Sequence, residues 1–250
     1  MRSDIGFEAL RRSFFVAGTD TGVGKTLVCT ALLHAANKAG LSTAAIKPVA
    51  AGGEVTEAGI RNEDAVLLRQ AATLDLSYAE VNPIALAEPL APHIAAAREG
   101  IELSAAEIAR ACQPVLDYRA DFTVVEGAGG WRVPLNDPPS GTQLETDTQL
   151  ETMADIARHL QLPIILVVGM RLGCLNHALL SAEAIAADGL QLAGWVANRI
   201  DSEMEAYQEN LDTLRRRLPA PLIAEIPWLP EMDAVAAASY VRFAKLIDTD

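Results

Sequence analysis

Cysteine is scarce in this 250-residue sequence, and the scarcity excludes two kinds of protein. Cys29, Cys112 and Cys174 are far apart and odd in number, which argues against both a disulfide framework and the paired spacing of a zinc site. Cysteines used in this way are typical of a reducing compartment. We therefore expect a cytoplasmic protein.

Long apolar runs and an excess of positive charge are also missing. The longest apolar run, near 163–170, is far shorter than a membrane span and predicts a buried strand. Residues 1–12 carry charges without an apolar core, so we expect a flexible N-terminal extension and not a signal peptide. The formal net charge of −13 disfavours nucleic acid as a partner, because a polyanion would be repelled.

Apolar residues, by contrast, are abundant and regularly arranged. They make up 50% of the chain, which is ample for a core on both faces of a sheet. Short apolar runs alternate with helical patterns, which is typical of a parallel sheet with crossover helices. We predict strands at 13–17, 43–49, 122–126, 164–168, 192–198 and 222–226, and helices near 25–39, 62–72, 104–118, 151–160, 176–187, 203–218 and 232–247. The sequence predicts a single α/β domain over residues 13–250, with helices on both faces of a mostly parallel sheet.

The first predicted strand leads into a glycine-rich turn, and the turn opens a helix with Lys-Thr. Gly22 and Gly24 allow backbone N–H groups to curl around phosphate oxygens without a Cβ in the way. Lys25 can reach the outer phosphates, and the Thr26 hydroxyl can ligate Mg²⁺. The positive end of the helix adds to the attraction. The segment predicts a phosphate-binding loop.

This loop departs from the strict pattern G-x-x-x-x-G-K-[ST]. Thr19 stands where the pattern has its first glycine, and Gly18 comes one residue earlier. A Gly-Lys-Thr sequence can follow an apolar run by chance, but the strand–turn–helix context favours a phosphate loop. The variant spacing argues against an ordinary small GTPase and favours a metabolic branch of the fold.

Charged residues follow the next strands at the edge where parallel sheets bind ligands. Lys47 ends an apolar run, where it could extend its ammonium to solvent or lie near the phosphates. Asp64 begins a helix and could, taken alone, be a solvated acid. Glu126 ends a buried strand, which suits a carboxylate that holds Mg²⁺. Together with Thr26, these two acids predict a magnesium site beside the triphosphate.

Later strand ends give weaker signals. The helix start near Cys174 could receive a carboxylate, and the thiol itself is better explained by packing than as a nucleophile, because no base partner is evident. Asn198 and Asp201 have the Asn-x-x-Asp spacing of guanine-specific proteins, but Arg199 stands where a lysine is usual. The segment therefore marks a base-binding position without identifying the base. Trp228 could cover a purine ring or simply cap the core.

Taken together, these motifs resemble the dethiobiotin synthetase family over residues 14–229. The segments that carry the resemblance are GTDTGVGKT (18–26), KPVAAG (47–52), RNEDA (61–65), VNP and EPLAPHIAA (within 81–96), VEGAGGW (125–131), LVVGMRLGCLNHA (166–178), GWVAN (194–198) and EIPWL (225–229). Many families share the phosphate loop alone, whereas VEGAGGW, LGCLNHA and EIPWL are far more specific.

The resemblance implies a homodimeric enzyme with a single-domain P-loop NTPase-like fold. Such an enzyme would use ATP, Mg²⁺ and CO₂ to convert 7,8-diaminopelargonate into dethiobiotin. The implied course is formation of a carbamate on one amine, phosphorylation of that carbamate, and attack by the second amine to close a cyclic urea. This chemistry asks the protein mainly to position two amines and to supply cations.

The resemblance also implies roles for individual residues. The catalytic residues would be Lys25, Lys47 and Thr21. The metal ligands would be Thr26, Asp64 and Glu126. The ATP-binding residues would be Gly22, Val23, Gly24, Lys25, Thr26, Leu27, Asp64, Glu126, Gly127, Ala128, Gly129, Asn198, Arg199, Pro227, Trp228 and Leu229. The substrate-binding residues would be Ala51, Cys174, Leu175 and Asn176, the last three receiving the substrate carboxylate across the dimer interface.

Three departures from the family pattern are visible. Ala51 stands where relatives often have a serine, so only its backbone could serve the substrate. Arg171 stands where a lysine is frequent, which keeps the charge and changes the geometry. The segment TQLET occurs at 142–146 and again at 148–152, which we interpret as a tolerated insertion.

Other functions remain in competition. A partitioning-type ATPase switch would carry a second lysine early in the loop, where this chain has Asp20. An amidotransferase-type synthetase of cobalamin biosynthesis would need a glutaminase domain, for which 250 residues leave no room. A pure binding module is disfavoured because the charged residues gather around a phosphate site.

Overall fold

The structure, a computed structural model, describes residues 12–137, 150–231 and 233–247. The strands are β1 (Arg12–Gly18), β2 (Thr43–Ile46), β3 (Val49–Ala51), β4 (Glu54–Thr56), β5 (Gly59–Arg61), β6 (Ile84–Leu86), β7 (Phe122–Gly130), β8 (Ile164–Met170), β9 (Leu192–Arg199) and β10 (Leu222–Ile226). The helices are α1 (Lys25–Lys38), α2 (Glu63–Ala71), α3 (Tyr78–Val81), α4 (Pro92–Glu99), α5 (Ala105–Asp117), α6 (Met153–Leu160), α7 (Cys174–Ala187), α8 (Tyr207–Arg217), α9 (Ala234–Ala238) and α10 (Ala244–Ile247).

A six-stranded parallel sheet forms the centre of the molecule. Its strand order is β10-β9-β8-β1-β7-β2, and every pairing in it is parallel. All seven residues of β8 are buried, which requires cover on both faces and explains why the strand is continuously apolar. The α/β prediction with a mostly parallel sheet is confirmed.

The second predicted strand, 43–49, is wrong at its end. It stops at Ile46, and the backbone of Lys47 leaves the sheet to donate to the carbonyl oxygen of Val81 at 2.7 Å. Pro48 has no N–H with which to continue the ladder. The chain then forms β3, which pairs with β6 in a separate two-stranded sheet.

The predicted helix boundaries also need correction near the C-terminal end. The helix expected near 203–218 begins only at Tyr207, because Ala206 adopts a left-handed conformation with φ of 50°. The single helix expected near 232–247 is two short helices, α9 and α10. Between them, Val241 pairs with Ala224 in an isolated antiparallel bridge, which interrupts the helical path.

Two sequence predictions fall on residues that the structure does not describe. The predicted N-terminal extension lies outside the described residues up to position 11, and Arg12 already belongs to β1. The repeated segment at 142–152 is described only from residue 150.

Among the described residues, none of the helices has the length and apolar character that crossing a membrane requires.

Candidate active site

The turn after β1 positions a lysine and a threonine at the start of α1. Gly24 immediately precedes the helix with φ of 85°, a left-handed conformation that favours glycine. A Cβ atom at this position would lie 2.2 Å from Nδ2 of Asn198, so glycine is also the side chain that fits. The backbone can therefore curl closely before Lys25 and Thr26 begin the helix.

Lys25 is held by two backbone carbonyl groups. Its Nζ donates to the carbonyl oxygen of Asp20 at 3.1 Å and to that of Gly129 at 2.7 Å. Burial lowers the pKa of Lys25, and the nearby carboxylate of Glu126 partly opposes that shift. The ammonium thus bridges the phosphate loop and the glycine segment at the end of β7.

A second lysine, from the end of β2, forms a buried ion-pair cluster. Nζ of Lys47 donates to Oδ2 of Asp64 at 2.9 Å and to Oε1 of Glu126. The same Oε1 accepts a hydrogen bond from the Thr26 hydroxyl at 3.0 Å. Glu126 is fully buried, and its other oxygen, Oε2, has no partner among the described residues.

The charges of this cluster stabilise one another. Burial alone would lower the pKa of Lys47, but Glu126 and Asp64 outweigh it and raise the pKa above its ordinary value. Burial would raise the pKa of Asp64, and Lys47 outweighs that effect and lowers it. The ammonium of Lys47 therefore lies between the side chains of Asp64 and Glu126, and its pairing with Asp64 stabilises both charges.

The oxygen atoms of this cluster suit magnesium. The described residues contain no group of three or more His, Cys, Asp and Glu side chains that could hold a metal ion by themselves. Mg²⁺ is usually bound by one or two carboxylates together with substrate phosphates and water, and does not need such a group. The unpartnered Oε2 of Glu126, with Asp64 and the Thr26 hydroxyl close by, fits that manner of binding.

A cavity of about 700 Å³ opens over these residues. The predicted site residues that line it come from the phosphate loop, the strand ends and the first turn of α2: Thr21, Gly22, Gly24, Lys25, Thr26, Leu27, Lys47, Ala51, Asp64, Glu126, Ala128 and Gly129. Val23 and Gly127 are buried behind this surface.

Sequence reasoning missed two asparagines that hold the backbone of cavity-lining residues. Asn62 caps α2 and donates from Nδ2 to the carbonyl oxygen of Ala51 at 3.3 Å, which links the wall of the cavity to the helix that carries Asp64. Asn82 donates from Nδ2 to the carbonyl oxygen of Lys47 at 2.7 Å. The RNEDA and VNP motifs contain these two asparagines, so a signal was present.

Another missed contact joins the end of β7 to α7. Nε1 of Trp131 donates to Oδ2 of Asp188 at 2.7 Å, and Arg132 pairs with the same carboxylate at 2.9 Å. Trp131 is buried against the ring of Phe15, with ring centroids 6.2 Å apart. These contacts hold the backbone that follows Gly129 in place between β1 and the end of α7.

The remaining predicted substrate residues do not line this cavity. Cys174 begins α7 and is buried, and burial raises the pKa of its thiol, as expected of a packed cysteine. Asn176 is exposed, Leu175 is half-buried, and the neighbouring Leu172 is 94% exposed. The start of α7 thus presents an open surface beside a large exposed apolar side chain.

The residues predicted to hold the base lie at the ends of β9 and β10. Asn198 is buried and donates from Nδ2 to the carbonyl oxygen of Val23 at 2.8 Å. The guanidinium of Arg199 lies over the ring of Tyr207, 4.9 Å from its centroid, and with Pro227 it lines a second cavity of about 440 Å³. Trp228 is 46% exposed, and Leu229 packs partly buried against the core.

Comparisons with known proteins find relatives over nearly the whole chain. A family model described as an AAA domain matches residues 12–236. A protein named ATP-dependent dethiobiotin synthetase BioD from Pseudomonas aeruginosa PAO1 is 54% identical over 234 residues, covering 94% of this chain and 97% of its own length. The protein of the same name from Cellvibrio japonicus is 51% identical, covering 95% of this chain and 99% of its own length.

Solved structures share the fold at much lower identity. The septum site-determining protein MinD from Pyrococcus horikoshii, complexed with Mg-ADP, is 17% identical with a TM-score of 0.52, covering 94% of each chain. The signal recognition particle 54 kDa protein from Aeropyrum pernix, in complex with GDP, is 13% identical with a TM-score of 0.53, covering 98% of this chain and 48% of its own. At these identities the likeness supports the fold alone.

Proposed function

The chain belongs to the ATP-dependent dethiobiotin synthetase family, and on that premise we propose that it makes dethiobiotin from 7,8-diaminopelargonate, CO₂ and ATP. The observation that carries the proposal is the meeting of the phosphate loop with the Lys47 cluster in one cavity of about 700 Å³. Such a cavity can take a triphosphate and a second reactant side by side.

The proposed reaction balances in three steps. One amine of the substrate adds to CO₂ and loses a proton, which gives a carbamate. An oxygen of this carbamate attacks the γ-phosphorus of ATP, and ADP leaves. The second amine then attacks the carbamate carbon, loses a proton and expels phosphate, which closes the cyclic urea. The phosphate that leaves therefore carries an oxygen atom that came from CO₂.

The residues of the cavity suit the charge changes of these steps. Lys25, at the start of α1, would stabilise the phosphoryl group during its transfer. Lys47 would neutralise the carbamate oxygens, and the Thr21 hydroxyl at the rim would orient the reacting groups. The backbone around Gly22, Gly24 and Gly129 would cradle the phosphates, while Asn198 and the segment 227–229 would hold adenine.

Magnesium is part of this proposal. Thr26, Asp64 and Glu126 would hold the ion, as the oxygen donors of the cluster support. When bound, Mg²⁺ supplies positive charge to the phosphate oxygens.

We further propose a homodimer in which the start of α7 binds the substrate carboxylate across the interface. The carboxylate lies several methylene groups away from the amines, beyond the reach of the phosphate site. Helix N-termini stabilise a carboxylate by roughly 0.3–1 kcal/mol when exposed and up to about 2 kcal/mol when partly buried. The exposed Leu172 and Leu180 beside Asn176 support an apolar contact with a second subunit.

A partitioning-type ATPase is not favoured. The position of its second lysine is held by Asp20, whose carboxylate pairs with Arg171. A carboxylate cannot supply the positive charge that a lysine would bring to this position.

The proposed function can be tested by incubating the protein with 7,8-diaminopelargonate, bicarbonate, ATP and Mg²⁺, and detecting dethiobiotin by mass spectrometry. Product should form, should require all three substrates and should disappear in excess EDTA. The Lys25→Ala variant should lose roughly 3–4 kcal/mol of transition-state stabilisation, a fall of about 10²–10³ in turnover. The control variant Lys245→Ala should leave turnover unchanged, because Lys245 is exposed and does not line the cavity. No dethiobiotin from the parent, or full activity of Lys25→Ala, would overturn the proposal.

A further inference from the structure

The ammonium of Lys47 lies at the meeting point of the proposed metal ligands. It contacts Oε1 of Glu126 and, at 2.9 Å, Oδ2 of Asp64. The Thr26 hydroxyl reaches the same Oε1 at 3.0 Å. A cation therefore already pairs with the oxygen atoms that a magnesium ion would need.

Two cations are unfavourable in such a place. Like charges a few ångströms apart repel strongly when water is excluded, and Glu126 is fully buried. The carboxylate of Glu126 equally cannot remain buried without a counter-ion. A bound metal ion would neutralise the carboxylates of Glu126 and Asp64 by itself. The ammonium of Lys47 would then no longer be needed as their counter-ion.

The backbone of Lys47 is fixed, while its side chain has space to move into. Its N–H donates to the carbonyl oxygen of Val81 and its own carbonyl accepts from Asn82, both at 2.7 Å. Its side chain lines the same cavity as Ala50, Ala51 and Pro89. A change of side-chain rotamer can turn the ammonium into the cavity without moving the strand end.

We propose that Lys47 is an exchangeable counter-ion: a divalent metal replaces its ammonium at Glu126 and Asp64, and the released side chain turns into the cavity. The inference rests on the proposed magnesium-dependent function and adds an order of events, in which metal binding precedes the release of Lys47. Lys47 becomes available to the carbamate only after the metal has arrived.

The first test measures Mn²⁺ binding to the nucleotide-free protein by the loss of the free-ion signal in electron paramagnetic resonance. Lys47→Gln should bind Mn²⁺ at least about tenfold more tightly than the parent, because the competing cation is gone. Lys38→Gln is the matched control, since Lys38 is exposed at the C-terminal end of α1 and does not line the cavity. It should change the affinity less than about threefold. Equal or weaker binding by Lys47→Gln, or an equal gain in both variants, would overturn the exchange.

The second test uses the parent protein, so it does not depend on whether Lys47→Gln folds. Acetic anhydride labelling of Lys47, which is 4% exposed, should rise several-fold when Mg²⁺ is added. The exposed Lys38 and Lys245 serve as internal references and should not respond. The Glu126→Gln variant should show no Mg²⁺-dependent rise in the labelling of Lys47. Unchanged labelling of Lys47 at saturating Mg²⁺ would contradict the proposal.

These outcomes separate the inference from the proposed function. A parent that makes dethiobiotin while Lys47 labelling ignores Mg²⁺ would leave the function standing and remove the exchange. A parent that makes no dethiobiotin would remove the function, and the Mn²⁺ titration would still decide whether lysine and metal compete.

Discussion

Lys47 illustrates how one side chain can serve both the fold and the site. The sequence left open whether its ammonium points to solvent, and the structure buries it against Glu126 instead. Removing one partner of a buried ion pair leaves the other charge uncompensated, which costs roughly 3–5 kcal/mol.

Lys47→Ala should therefore lower the free energy of unfolding by about that amount, because Glu126 would be stranded in the core. Urea unfolding followed by circular dichroism measures the change. The exposed Lys38→Ala variant should stay within about 0.5 kcal/mol of the parent. Adding Glu126→Gln to Lys47→Ala should recover part of the loss, and equal stability of Lys47→Ala and the parent would contradict the buried pair.

Asp64 predicts a pH dependence of stability. Its pKa in the folded protein lies below the ordinary 3.8 because Lys47 outweighs burial. A lowered folded pKa contributes stability that is present above the unfolded value and is lost as the pH falls through the folded value. The Asp64→Asn variant should consequently lose stability at pH 7 and show a shallower decline as the pH falls below the ordinary value of 3.8. Unfolding midpoints of the variant and the parent across this pH range measure the difference. Identical slopes of stability against pH would refute the lowered pKa of Asp64.

At the scale of elements, the contact between Trp131 and Asp188 holds the end of β7 against α7. The indole N–H is buried, and the carboxylate also pairs with Arg132. Gly129, two residues before Trp131, supplies the carbonyl that holds Lys25. The tryptophan is thus a positioning residue for the wall of the cavity.

Asp188→Ala should destabilise the protein by roughly 1–3 kcal/mol, the cost of leaving a buried donor without its acceptor. A matched control is Asp212→Ala, because Asp212 pairs with Arg215 on an exposed face of α8. That variant should lose at most about 1 kcal/mol. Thermal unfolding compares the two, and an equal effect of both substitutions would show that the Trp131 contact adds nothing.

The elements also show what sequence patterns can and cannot predict. The six central strands were predictable because parallel strands buried on both faces are continuously apolar. The early end of β2 had one local signal, Pro48, which has no N–H for the ladder. The path of the chain beyond it depends on a tertiary hydrogen bond from the N–H of Lys47 to the carbonyl oxygen of Val81, which the local sequence does not encode. The division between α9 and α10 depends likewise on the pairing of Val241 with Ala224, which the local sequence does not encode.

The location of the candidate site could be predicted from the sequence, whereas the contacts within it could not. Parallel strands bring their carboxyl ends to one edge, so Lys47, Asp64 and Glu126 could be expected near the phosphate loop. Thr26 and Glu126 are 100 positions apart in the chain, yet their side chains bond. Which lysine would pair with which acid is a matter of side-chain geometry, and no spacing in the sequence determines it.

At the scale of the whole molecule, the proposed dimer makes a prediction about substrate capture. Asn176→Leu should raise the KM for diaminopelargonate and leave the KM for ATP unchanged, because Asn176 lies at the start of α7 and does not line the nucleotide cavity. The parent should sediment as a dimer. A fully active monomeric parent would refute the shared site, and an equal rise in both KM values would refute the carboxylate role.

In the proposed reaction, the cavity joins phosphoryl transfer to ring closure through a phosphorylated carbamate. The most direct measurement supplies ¹⁸O-labelled CO₂ in a rapid reaction and determines the label in the released phosphate by mass spectrometry. One ¹⁸O atom should appear in the phosphate for each dethiobiotin formed, because the carbamate oxygen leaves with the phosphoryl group. Dethiobiotin that forms with unlabelled phosphate would contradict it.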